Sequence, residues 1–196
     1  MYAPFGSVRE DGFRVRAVAG YGAYRYSSPR WTGAGTQVLE FHGTIAFADL
    51  LAGYHKQWGP VTIKILGGLT AADQNVDDPE STSGGAGVGA KVVLETWWNI
   101  TDKAWTSVDL SWTTLHDIYG ARVRVGWRLW PQVSVGLEGG ATGNWDYDTA
   151  RLGGFVRYEW ASGEVSLSGG LSGDGPNSGW VDVHGPFATF NMLTRF

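Results

Sequence analysis

The sequence predicts an all-β fold, in which ten antiparallel strands form one transmembrane β-barrel. Three observations lead to this prediction. Apolar and polar residues alternate along ten segments, which is the period of a strand with two different faces. Only 17% of the 196 residues are charged, so the surface is short of charge for a soluble domain. Tight connections alternate with longer ones, as expected for short periplasmic turns and longer extracellular loops.

The clearest segment lies at 118–130, where apolar residues alternate with Arg122, Arg124 and Arg128. Arginine at every second position suits a strand with one wet side and does not suit a helix face. The remaining segments show the same alternation between glycine-rich or Pro-containing connections. In chain order, the predicted strands lie at 12–26, 36–54, 61–71, 86–98, 104–114, 118–130, 133–141, 150–160, 164–172 and 186–196.

The last predicted strand carries Phe190, Met192 and Phe196 on one face and ends on that final aromatic residue. An apolar terminal strand would fray in water, but it is stable when it pairs with the first strand and faces lipid. We therefore expect this strand to close the barrel. Residues 1–11 would then form a periplasmic N-terminal segment, and residues 12–196 would form a single barrel domain.

Composition excludes several classes of protein. The chain has no cysteine, which excludes a disulfide scaffold and a cysteine-ligated metal site. A net charge of −4 argues against a nucleic-acid partner. Mean hydropathy is −0.16 and no long apolar run occurs, so a transmembrane helix is not predicted. We expect no cofactor and no metal, a location in the bacterial outer membrane after removal of a signal peptide, and outer-membrane lipid as a partner.

If the apolar faces point to lipid, the charged residues of the strands point into the barrel. A barrel of ten strands is narrow, so we expect these side chains to fill it as a polar network of ion pairs. The alternative is a small basic channel for an anionic solute. The predicted network comprises Arg14, Arg16, Glu40, Lys64, Lys91, Glu95, Asp109, Arg122, Arg124, Arg128, Glu138, Arg151, Arg157 and Glu159.

The long connections combine acidic and aromatic residues. Aromatic rings stack on sugars and carboxylates accept hydrogen bonds from sugar hydroxyls, so such loops can bind carbohydrate. The best candidates for contact with a glucan are Trp145, Asp146, Tyr147, Asp148 and Trp180. An upper aromatic girdle beside a solvated acidic rim would give the same composition.

Two outer loops also carry Asp77 with Asp78 and His116 with Asp117. Omptin-type outer-membrane proteases use Asp pairs and a His-Asp pair at the rim of a ten-stranded barrel, but those barrels are taller than this chain allows. The sequence has no Gly-x-Ser-x-Gly motif. We therefore predict that the protein is not an enzyme, and a rim protease remains an alternative.

Five glycine-containing strand segments and the last strand follow one another along the chain. They read GYGAYRY at 20–26, GVGAKVVLE at 87–95, GLEGG at 136–140, GGFVRYE at 153–159, SGGLSGD at 168–174 and PFATFNMLTRF at 186–196. Together these segments resemble the BcsS family. The resemblance implies an alphaproteobacterial outer-membrane protein with an accessory role in producing or exporting cellulose. It also implies cellulose or a related glucan and the cellulose-secretion machinery as partners, and it supplies no catalytic residues.

The function predicted from the sequence is therefore that of an accessory outer-membrane barrel. It would support cellulose or another exopolysaccharide at the cell surface, as a scaffold or by contacting the glucan. The alternatives are an anion-preferring channel for small solutes and a rim-active protease.

Overall fold

The computed structural model describes residues 1–5, 10–33, 35–81, 84–144, 148–174 and 183–195. Ten strands make up the fold, and the described residues include no helix long and apolar enough to cross a membrane. The strands are β1 (Gly12–Trp31), β2 (Thr36–Trp58), β3 (Val61–Val76), β4 (Gly85–Asn99), β5 (Ala104–Thr113), β6 (Tyr119–Trp130), β7 (Val133–Gly143), β8 (Asp148–Trp160), β9 (Gly163–Asp174) and β10 (Val183–Thr194).

All ten strands belong to one antiparallel sheet, and each pairs with its neighbours in sequence, from β1 to β10. The predicted all-β antiparallel fold of ten strands is thereby confirmed. Within the described residues, β1 and β10 form no ladder with each other. Both contact the N-terminal segment instead: Tyr2 bridges to Val15 on β1, and the amino group of Met1 donates to the carbonyl of Thr194 on β10 at 2.7 Å.

The sheet is strongly curled, because side chains from distant strands meet on one face. The guanidinium of Arg157 on β8 lies 4.8 Å from the ring centre of Trp97 on β4. In a flat sheet four strand spacings would separate them by about 19 Å. We call the concave face the inner face and the convex one the outer face. We call the end with the two-residue connections 59–60, 131–132 and 161–162 the turn end, and the opposite end the mouth.

The two faces have opposite character. The outer face exposes large apolar side chains on each of the ten strands, among them Leu50, Leu69, Val88, Leu137 and Phe190. The inner face buries charged and polar groups, with one small apolar cluster of Leu51, Leu66 and Val93. This is the reverse of a soluble sheet, whose apolar face is the buried one.

The first two strands extend beyond the others. β3 stops at Val76, opposite Gly43, whereas β1 and β2 continue to pair from Arg25 with His42 up to Trp31 with Thr36. We call this two-stranded extension the ribbon. Its inner side is held by Arg30, which contacts Asp78 at 2.5 Å and Glu80 at 3.3 Å in the connection after β3.

The ribbon corrects one boundary predicted from the sequence. Residues 27–35 were expected to be a loop because they contain Pro29 and two glycines, yet β1 continues through Pro29 to Trp31. The pairing of Pro29 with Val38 lies in the ribbon, where one side of β1 has no neighbouring strand. Proline is tolerated there because its missing N–H can point away from the pair.

Candidate functional site

Cross-strand register places the charged residues of the inner face side by side. Lys64, Glu95, Asp109 and Arg122 occupy matching positions on β3, β4, β5 and β6. Facing residues in a sheet lie about 5 Å apart, so opposite charges on this row can pair directly. The row exists because each of these strands presents alternate residues to the inner face.

The first group of ion pairs forms around Glu95. Arg16 on β1 and Lys64 on β3 both bind its carboxylate, with Lys64 at 3.1 Å. On the neighbouring strand, Arg122 donates from Nε and Nη2 to Oδ2 of Asp109 at 2.9 and 2.7 Å. These pairs bring β1, β3, β4, β5 and β6 together across the curled sheet.

Glu138 is the most deeply buried of these acids, with no exposed surface. Arg124 donates to its Oε2 at 2.6 Å and Ser168 does so at 3.3 Å, while Nη2 of Arg151 lies 3.1 Å from Oε1. Two guanidinium groups and a hydroxyl therefore compensate one buried carboxylate. Removing it would leave Arg124, itself only 7% exposed, without its counter-charge.

A second cluster lies at the turn end. Glu164 on β9 contacts Arg157 on β8 and Arg195 after β10, both at 2.5 Å. Glu159 contacts the same two arginines at 3.0 and 3.5 Å. Two bases and two acids thus alternate and tie the last three strands together.

Aromatic side chains close the inner face above this cluster. Trp97 and Trp105 stack with ring centres 4.0 Å apart, and Phe155 lies 5.5 Å from Trp105. Arg157 covers both indoles, and Trp105 is fully buried. A Cβ on Gly126 would come within 2.3 Å of the Trp105 ring, so the indole rests directly on glycine backbone. The turn half of the inner face, from Arg124 and Glu138 to the turn end, is therefore filled.

The remaining predicted network residues also face inward, but they bind other groups. Arg14 donates to the carbonyls of Glu10 and Phe13 and lies 3.3 Å from Nδ1 of His55. Arg128 donates to Oδ1 of Asn99 at 2.5 Å and to the carbonyl of Asp102 at 3.0 Å. Lys91 binds an acid that the sequence reading did not select, Asp49, at 2.7 Å.

Glu40 is the exception among the predicted network residues. Its side chain is more than half exposed on the outer side of the ribbon, where it lies 3.7 Å from Arg25 and 3.5 Å from His42. Its neighbour Phe41 is buried on the inner side. The rule that apolar residues point outward fails along β2. Phe41 lies under Arg30 in the ribbon, and Phe47, beyond the ribbon, lies on the inner face under Lys91.

Several inner residues were not selected from the sequence, among them Asp49, Trp97, Trp105 and Phe155. Each has a signal that could have identified it. Asp49 interrupts an apolar run. Trp97 lies two residues after Glu95 on the same strand, so the two side chains point to the same face. Trp105 shares parity with Asp109, and Phe155 with Arg157. Strand parity thus predicts the face of an aromatic residue better than its hydrophobicity does.

The predicted glucan-contacting loop lies mostly outside the described residues, because these include neither 145–147 nor Trp180. Asp148 is described as the first residue of β8, and it accepts a hydrogen bond of 3.4 Å from the hydroxyl of Tyr119. This places one acidic side chain and one phenol at the mouth, on β8 and β6.

The residues of the protease alternative have other partners. Asp77 accepts a hydrogen bond from the backbone N–H of His42 at 2.6 Å, and Asp78 is buried against Arg30. His116 and Asp117 form the turn between β5 and β6, both with positive φ. The part of the chain that the structure describes contains no group of three or more potential metal ligands.

Together, the fold and the inner face define a class: all-β proteins built on one curled antiparallel sheet with a charged interior and an apolar exterior. A family model described as cellulose biosynthesis protein BcsS matches residues 1–196. The chain belongs to this family, as its sequence segments indicated, and the family takes part in cellulose biosynthesis. No curated protein matches the chain, and no solved structure does.

Proposed function

We propose that the protein spans the bacterial outer membrane as a barrel and supports cellulose production there without conducting. The observation that carries this proposal is the reversal of the two faces: charged groups pair on the inner face, and exposed apolar residues cover the outer one. Only a surrounding apolar solvent makes that outer face stable, because water would disfavour so large an apolar surface.

The outer face has the height that a bilayer requires. On β6, apolar residues lie between Tyr119 near the mouth and the exposed Trp130 at the turn end. This distance is about 36 Å along the strand, or about 28 Å along the membrane normal at a strand tilt near 40°. Aromatic residues at both ends of a band of about 25 Å are typical of outer-membrane barrels. The contacts of residues 1–2 with both β1 and β10 support closure of the sheet.

Single-cysteine labelling tests the membrane span, since the native chain contains no cysteine. Leu137→Cys lies in the middle of the outer apolar band, and Val38→Cys lies on the exposed ribbon. A water-soluble maleimide applied to intact cells should label Val38→Cys and leave Leu137→Cys unlabelled until the membrane is dissolved. Equal labelling at both positions would rule out a membrane-spanning outer face.

The filled turn half supports an accessory role without conduction. Trp97, Trp105, Phe155 and Arg157 meet across the interior, so this barrel would hold no passage for a polymer. We propose that it acts as a scaffold for the cellulose-secretion machinery or contacts the glucan at its mouth. The refolded protein in planar bilayers should give no steady open current. A steady anion-selective current would instead establish the alternative of a small-solute channel.

We assign contact with cellulose to Trp145, Asp146, Tyr147, Asp148 and Trp180, which lie in sequence between β7 and β8, at the start of β8, and between β9 and β10. The support is their chemistry in sequence and the position of Asp148 beside Tyr119. A pull-down on cellulose and other glucans should retain the detergent-folded protein and lose it in Trp145→Ala and Tyr147→Ala. If neither the native protein nor the variants bind, the role is that of a scaffold and its partners are proteins.

We propose no enzymatic activity. Asp77 and Asp78 bind His42 and Arg30, which hold the connection after β3 against the ribbon. Peptide cleavage by the purified protein that disappears in His116→Ala would contradict this and would establish the protease alternative.

A further inference from the structure

The inner face carries an excess of positive charge. Apart from the Arg30–Asp78 pair of the ribbon, the described inner residues comprise ten bases and six acids. The bases are Arg14, Arg16, Lys64, Lys91, Arg122, Arg124, Arg128, Arg151, Arg157 and Arg195, and the acids are Asp49, Glu95, Asp109, Glu138, Glu159 and Glu164. Among the described inner residues, bases thus outnumber acids, and an unpaired charge on a face shielded from water is costly.

Exposure differs among the inner bases. Arg124 and Arg157 keep only 7% and 5% of their side chains exposed, and Lys64 and Arg195 keep 23% and 24%. Arg122 and Arg151 keep more, 29% and 33%, and they lie nearer the mouth than Arg124 and Arg157 on the same strands. An anion that enters from the mouth can therefore reach both guanidinium groups.

Register places the two arginines on either side of a glycine. Arg122 on β6 pairs with Gly140 on β7, which pairs in turn with Arg151 on β8. Their Cα atoms are separated by two strand spacings, about 10 Å, with no side chain between them. A Cβ on Gly140 would lie 3.2 Å from Nε of Arg151, so the glycine leaves the space into which that guanidinium leans.

Both guanidinium groups keep donors for a ligand. Arg122 uses Nε and Nη2 for Asp109, and Arg151 approaches Glu138 with Nη2 while lying over the ring of Phe187. Nη1 of each arginine has no hydrogen-bond partner among the described residues. Arginine donors in this arrangement favour planar or tetrahedral oxyanions, which accept several hydrogen bonds at once.

We propose that the mouth half of the inner face binds one small oxyanion between Arg122 and Arg151, across Gly140. The ligand class is carboxylate or phosphate. The site is a dead end, because the stacked Trp97 and Trp105 fill the interior on the turn side. The anion therefore enters and leaves through the mouth and compensates charge that the protein's own acids leave uncovered. This inference concerns the interior alone and holds whether or not the protein contacts glucan.

Isothermal titration of the detergent-folded protein with inorganic phosphate, and separately with glucuronate, tests the site at constant ionic strength. We expect saturable binding with one site per chain. Arg122→Gln and Arg151→Gln should each weaken the affinity about tenfold, since each removes a charged donor. Arg25→Gln, on the outer side of the ribbon, is the matched control and should bind as the native protein does.

Two results would overturn the proposal: no saturable heat with the native protein, or an equal loss of affinity in Arg25→Gln. Folding of each variant is checked by its β-sheet circular dichroism spectrum before titration. A variant that fails to fold is replaced by Gly140→Leu, which fills the space between the arginines and keeps both charges. Gly140→Leu should abolish binding, and full retention of affinity in that variant would equally overturn the proposal. The titration with two ligands distinguishes a phosphate site from a carboxylate site.

Discussion

The turn half and the mouth half of the inner face use the same residue types but differ in packing. In the turn half, Trp105 and Glu138 are completely buried, and Arg124 and Arg157 are each covered by an aromatic ring and paired with an acid. In the mouth half, Arg122 and Arg151 remain partly exposed beside Gly140. The comparison shows that large aromatic residues fill the inner face of the curled sheet, whereas two arginines separated by a glycine keep part of their surface exposed.

The largest expected effect is the loss of Trp105 from the turn half. Trp105→Ala removes an indole that contacts Trp97, Phe155 and Ser134, so unfolding in urea should show a loss of about 4 kcal/mol. Trp31→Ala on the ribbon is the control, because its ring is exposed and should change stability by less than about 0.5 kcal/mol. Similar losses in both variants would show that the turn half is not tightly packed.

Loss of a buried acid should likewise lower stability more in the turn half than in the mouth half. Glu138→Gln removes the counter-charge of the buried Arg124 and should cost about 3 kcal/mol in the free energy of unfolding. Asp109→Asn affects a pair that keeps about a quarter of its surface exposed, so solvent screening reduces the loss to about 1 kcal/mol. Urea unfolding of the two variants side by side measures the difference. A larger loss in Asp109→Asn would reverse the comparison.

Two glycine substitutions measure the free space in each half. A Cβ at Gly126 would lie 2.3 Å from the Trp105 ring, so Gly126→Ala should destabilise by about 2 kcal/mol through overpacking. A Cβ at Gly140 would meet its closest atom at 3.1 Å, and the nearby Arg151 side chain can move. Gly140→Ala should therefore cost less than about 1 kcal/mol. The melting temperature of both variants is measured in the same detergent. Equal decreases would show that the two halves are packed alike.

The smallest effect concerns pH and lies outside both halves. The hydrogen bond from Lys56 lowers the pKa of Asp11 below its ordinary value, and the backbone N–H of Gln57 adds to the shift. A carboxyl with a lowered pKa stabilises the fold above its unfolded pKa and loses that contribution as the pH falls through the folded value, below about pH 4. The stability difference between the native protein and Asp11→Asn should be full at pH 7 and should decrease steadily as the pH falls below about 4. A difference that does not change with pH in the acid range would show that Asp11 does not act through its charge.

Much of the fold was predictable because successive side chains of a strand point to opposite faces. Arg122, Arg124 and Arg128 fall on one face for any register, and the structure places all three inward. The order of the strands was equally accessible, since short connections force antiparallel neighbours.

The failures of prediction have a physical cause as well. Glu40 was assigned to the inner face by its polarity, but along β2 the inner face instead carries the rings of Phe41 and Phe47. In the ribbon, Phe41 instead packs under Arg30, and Glu40 joins Arg25 and His42 on the outer side. The partners of individual charges, such as Lys91 with Asp49, depend on curvature that brings non-neighbouring strands together, and alternation alone does not specify curvature.

The pairing of each strand only with its neighbours in sequence also determines how the molecule can be assembled. Each new strand closes a hairpin over a short connection, so the entropy cost of each addition is small. From β2 onward, the strand most recently added offers its free edge as the template for the next one. Synthesis order and assembly order then coincide, so a chain shortened within its last strands would still be able to pair all the strands that precede the cut.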